Sequence, residues 1–118
     1  MEKKVIKIEQ VFILLEALEE LYTQHVKYPI NIAYKLNRIK NELNDIEKYT
    51  LERIAEVIPN WGDIVTFSAE ENLVYSTIMN SEIEIETYGL TKDELFNPVT
   101  DDQPTIELSK IEALNLLV

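Results

Sequence analysis

The stretch between Pro29 and Pro59 constrains this chain more than any other feature. It holds no glycine or proline, and Ile32, Leu36, Ile39, Leu43 and Ile46 recur along it at steps of four and three. That spacing draws one apolar seam down one face of an α-helix. The seam continues through Tyr49 or Thr50 to Ile54, Val57 and Ile58. A helix of about 28 residues here would run about 42 Å at 1.5 Å per residue.

An earlier stripe of Val11, Leu14, Leu15, Leu18, Leu21 and Tyr22 predicts a first helix over 9–26. The connection around Tyr28 and Pro29 is short, so the two helices are expected to form an antiparallel hairpin. The longer helix then overhangs, and its far end needs cover from the C-terminal half or from a partner. Residues 5–8 read as a short edge strand ahead of the hairpin.

The second half changes character. The run around Pro59, Trp61 and Gly62 is a break, with Trp61 expected to plug the end of the hairpin. Residues 64–67 and 106–108 suit short strands, and Glu82–Glu86 alternates strictly, with one wet face and one dry face. Ser68 with Glu71, Thr91 with Glu94 and Ser109 with Glu112 have the spacing of capping boxes that open helices. The expected fold is α+β: a long antiparallel two-helix hairpin over 1–58 and a small acidic strand-and-helix cap over 59–118, in one domain.

Charge divides along the same line. Residues 1–58 carry nine Lys/Arg against ten Asp/Glu, whereas residues 59–118 carry two against twelve. A net charge of −11 opposes nonspecific nucleic-acid binding, which needs cations to neutralise phosphate. The basic residues of the second helix alternate with Glu42, Asp45, Glu47, Glu52 and Glu56, as in ordinary helix-surface pairs. No apolar run approaches the ~20 residues of a membrane span. The opening, with Lys3, Lys4 and Lys7 followed by Glu9 and Glu16, does not read as a signal peptide. With no cysteine there is no disulfide framework and no thiolate site.

No catalytic set emerges. His25, the single histidine, falls near the end of the first helix with neither an orienting acid nor a nucleophile beside it in sequence, and reads as a capping or surface residue. Gly62 and Gly89 are too far apart to build a phosphate-binding loop. Glu82, Glu84 and Glu86 stand in line about 7 Å apart and do not converge on a cation. The Asp101–Asp102 pair lacks the ligand ladder of a calcium loop. No metal, cofactor or enzymatic activity is expected. The sharper use of Glu82, Glu84, Glu86, Asp101 and Asp102 is an acidic surface that docks on a basic protein partner. Tyr34 lies off the buried seam, and with Arg38 it marks a second candidate surface on the exposed side of the second helix.

Three stretches carry a resemblance: KIEQVFILLEALEEL, YPINIAYKLNRIKNELNDIEKY, and the tail IMNSEIEIETYGLTKDEL with IELSKIEALNLLV. Through them the chain resembles an uncharacterised family of small phage- and prophage-encoded helical-hairpin proteins. It departs from that family around 59–67, where members carry a longer charged insertion. The resemblance implies a phage origin and a helical hairpin with a small β element, and it implies no activity and no catalytic residue. The expected function is therefore a non-enzymatic protein-binding module. It would act in the host cytoplasm on a basic partner, such as a host defence or nucleic-acid-handling protein, as an inhibitor. The alternative is a structural or assembly component of a virion, acting through homo-oligomerisation of the hairpin.

Overall fold

The computed structural model describes residues 3–59, 67–97 and 106–118. Strand β1 (Lys3–Lys7) leads directly into α1 (Ile8–Thr23). A short connection follows, then α2 (Ile30–Val57), α3 (Ala69–Met79), β2 (Glu82–Glu86), α4 (Lys92–Phe96) and α5 (Leu108–Leu114), with a 3₁₀ turn at Asn115–Leu117. The described chain is mostly helical with one two-stranded antiparallel sheet, β1 against β2.

Both long helices form where their apolar spacing placed them. Val11, Leu14 and Ala17 of α1 and Leu43 of α2 are fully buried, and Ile32, Leu36 and Ile39 join them in one core. Neighbours along α1 and α2 meet in reverse order. Leu18, Leu21 and Tyr22 share a groove with Ala33, Leu36 and Lys40, while Glu19 reaches Lys40 at 3.0 Å. Tyr22 is the exception to the α1 stripe. It is 73% exposed, and its ring lies 5.2 Å from the Lys40 ammonium, half covering the groove instead of entering the core. At the far end of α2 the seam runs through Thr50, not Tyr49: Thr50 is buried and its hydroxyl donates to the Ile46 carbonyl at 2.7 Å, while Tyr49 is exposed. Ile54 and Ile58 are buried, and α3 packs on α2.

Helix α1 is the hub of the molecule, packing against α2, α5, α3 and β1. Ala113 and Leu114 of α5 and Leu117 of the 3₁₀ turn complete its core from the C-terminal side. The β pair adds Ile6 and Ile85 on its inner face. Tyr28, in the α1–α2 connection, donates from its hydroxyl to the Leu95 carbonyl at 2.8 Å and so anchors α4. Burial pushes the Tyr28 phenol up to about 12.

Two capping boxes form as the sequence predicts. Ser68 accepts from the Glu71 N–H and Thr91 accepts from the Glu94 N–H, each glutamate reaching back to the cap residue's own N–H. The third does not form. Helix α5 begins at Leu108, with Glu107 as the extended cap residue whose carbonyl accepts from Lys110 and Ile111, so Ser109 is already inside the helix. The same early start removes the strand expected over 106–108. Trp61, Gly62, residues 64–66 of the strand expected over 64–67, and Asp101 and Asp102 lie outside the described residues.

Candidate functional site

The β register decides what the glutamate strand can do. Lys7 pairs with Glu82, Val5 with Glu84 and Lys3 with Glu86. Directly opposite side chains on one face of an antiparallel pair stand about 4.5–5.5 Å apart at Cβ. The outer face of the sheet therefore sets Lys7 and Lys3 across from Glu82 and Glu86, with exposed Val5 across from Glu84. Glu86 is further committed: it is half-buried, and its Oε1 accepts from the Tyr88 N–H at 3.1 Å. Other charges of the two halves also meet in space, with Lys35 on Glu94 at 3.1 Å and Lys110 on Glu20 at 3.4 Å. The Thr91 backbone N–H, with Lys35 beside it, holds the Glu94 carboxyl below the usual range, and the Gln24 amide, with Lys110 beside it, does the same at Glu20. Of the two, Lys35 on Glu94 brings a cation of the first half onto a carboxylate of the acidic half.

Tyr34 and Arg38 are brought together, and a residue that sequence reasoning missed joins them. The chain after β2 turns tightly through Tyr88 and Gly89, with φ of 55° and 70°, closed by the Leu90 N–H donating to the Thr87 carbonyl at 3.0 Å. Two successive left-handed residues are the signature of a type I′ turn, where Asn-Gly is the favoured pair. A tyrosine in that conformation is strained by about 1–2 kcal/mol, and such strain concentrates at functional sites. Here it sets the Tyr88 ring 4.8 Å from the Arg38 guanidinium, while the Tyr34 ring lies 5.7 Å away on the same cation.

Ile30, Tyr34 and Arg38 stand one turn apart along α2, and Ile30 is 88% exposed. With Lys35 and Tyr88 they line a shallow cleft of about 420 Å³. Among the described residues Arg38 is in no ion pair, and two aromatic rings hold its planar group while its N–H donors remain available. The sequence signal for Tyr88 was the Tyr-Gly pair closing a strand, which marks a turn but not what the ring will touch.

Among the described residues, none that lines the cleft is a histidine, cysteine or serine. His25 lies elsewhere, exposed at φ 55° just past α1. Its N–H donates to the Tyr22 carbonyl and that of Val26 to the Leu21 carbonyl, which together form a Schellman cap. Among the described residues no group of three or more His, Cys, Asp or Glu is placed to hold a metal, and no helix is long and apolar enough to cross a membrane. Compared with family models, curated proteins and solved structures, the chain matches none.

Proposed function

We propose that this chain is a phage-encoded, non-enzymatic protein-binding module that docks through the outer face of α2. The carrying observation is the Tyr34–Arg38–Tyr88 cluster beside exposed Ile30. Tyrosine and arginine are the residues that dominate interface energetics, and an ordered arginine loses less freedom when a partner engages it. The net charge of −11 steers the module toward partners with a basic overall surface, such as a host defence or nucleic-acid-handling protein that it would inhibit in the host cytoplasm. Glu82, Glu84 and Glu86 take the lesser part, because lysines of β1 stand opposite Glu82 and Glu86.

The test is affinity capture from an infected or lysogenic host, followed by mass spectrometry. It compares the natural chain with a Tyr34→Ala/Arg38→Ala variant and a Glu82→Gln/Glu84→Gln/Glu86→Gln variant. The first variant is expected to lose the captured protein and the second to keep it. A second reading, a virion assembly component that oligomerises through its helices, draws support from the exposed stripe that extends down α2 past Arg38.

A further inference from the structure

That stripe has an internal symmetry. Tyr34, Arg38, Asn41, Asp45 and Tyr49 succeed one another at steps of four, three, four and four, and all five are exposed. They lie on the side of α2 opposite buried Leu36, Ile39 and Leu43. Read from either end the order is aromatic, charged, amide, charged, aromatic, with a cation at one end matched by an anion at the other. Among the described residues neither Arg38 nor Asp45 is in an ion pair.

We infer that this stripe is the contact between two copies of the chain, with their α2 helices antiparallel about a two-fold axis beside Asn41. The inference rests on the reading of the α2 outer face as a docking surface, and it says what covers that face until a partner displaces it. In a two-fold contact, if residue i meets residue j then j meets i. An axis beside Asn41 brings Arg38 of one copy to Asp45 of the other and Tyr34 to Tyr49, each pair occurring twice. A parallel arrangement would instead set Arg38 on Arg38 and Asp45 on Asp45. Charge complementarity therefore selects the antiparallel one. The Tyr34 and Tyr88 rings already fix the guanidinium that makes the pair. From Tyr34 to Tyr49 the stripe is about 22 Å long. A contact of one helix stripe is at the small end of specific interfaces, under about 1,200 Å² in total, so the dimer is weak and concentration-dependent.

Sedimentation velocity over a concentration series tests this at physiological ionic strength, where repulsion between the two acidic chains is screened beyond about 8 Å. The samples are the natural chain, Arg38→Glu, Asp45→Lys and the Arg38→Glu/Asp45→Lys double variant, with circular dichroism to check that each is folded. The natural chain is expected to pass from monomer to dimer as concentration rises. Each single variant, which sets like charges against each other twice, stays monomeric, and the double variant dimerises again. A natural chain that is monomeric throughout overturns the inference, as does a dimer indifferent to the single changes or one that the double change does not restore. If the natural chain is monomeric but Tyr34→Ala/Arg38→Ala still abolishes capture of a host protein, the second copy is eliminated and the docking face stands.

Discussion

The guanidinium of Arg38 lies 4.8 Å from the centre of the Tyr88 ring, joining the outer face of α2 to the turn that follows β2. The tyrosine reaches it only by adopting a left-handed backbone that asparagine tolerates far better. Tyr88→Asn should therefore recover up to about 1 kcal/mol of backbone strain against the packing that its partly buried ring loses, while weakening binding through the α2 face. Denaturant unfolding and capture of the partner, measured on the same variant, separate the two effects. A loss of stability without a loss of binding would show that the ring serves only to pack.

Leu43 is fully buried where α2 meets the core. Leu43→Ala should cost about 2–5 kcal/mol, the usual range for a buried leucine truncated to alanine. Chemical denaturation checks this, and a cost under about 0.5 kcal/mol would contradict the packing of α2 described above.

His25 occupies the left-handed position of the α1 cap. Glycine has no Cβ to strain there, so His25→Gly should raise stability by up to about 1 kcal/mol. His25→Gln should leave binding activity within a few-fold. Complete loss of activity in a folded His25→Gln variant would mean that the imidazole does chemistry.

Acid should weaken the tie between α2 and α4. The Thr91 N–H and the Lys35 ammonium hold the Glu94 carboxyl below its ordinary 4.5. A depressed folded-state value means that the ionised group stabilises the fold at pH above the unfolded value, and that this contribution fades as pH falls through 4.5 toward the folded value. Glu94→Gln removes that titration. The stability gap between the natural chain and the variant should be open at neutral pH and close in acid, as read from unfolding midpoints over that range. A gap that does not change with pH would indicate that the carboxylate charge plays no part.

How much of this was legible in the sequence depends on how local the determining contacts are. Helix α2 could be read almost to the residue, because Ile32, Leu36, Ile39 and Leu43 state their own period and Pro29 and Pro59 bound it. The caps at Ser68 and Thr91 were legible for the same reason, since every partner lies within one turn. Ser109 and Glu112 have the same spacing, but spacing records which hydrogen bonds are available and not where the backbone turns helical, and Glu107 takes the cap. The pairing of Lys3 and Lys7 with Glu86 and Glu82 joins segments far apart in the chain. No local period encodes it, so the glutamates read as a bare acidic face. Tyr34 and Arg38 could be placed on the exposed side of their helix, but the Tyr88 ring that orders Arg38 arrives through a distant turn.

On the function proposed above, this protein meets its partner through the outer face of α2. Tyr34 and Tyr22 are both exposed, at 63% and 73%, the first on that face and the second beside the groove between α1 and α2. Covalent labelling of tyrosine rings, compared between the free protein at a concentration where it is monomeric and its complex with the captured partner, reads both positions in one experiment. Tyr34 should lose most of its labelling in the complex while Tyr22 keeps it. Equal labelling of Tyr34 in the free and bound protein would contradict the assignment.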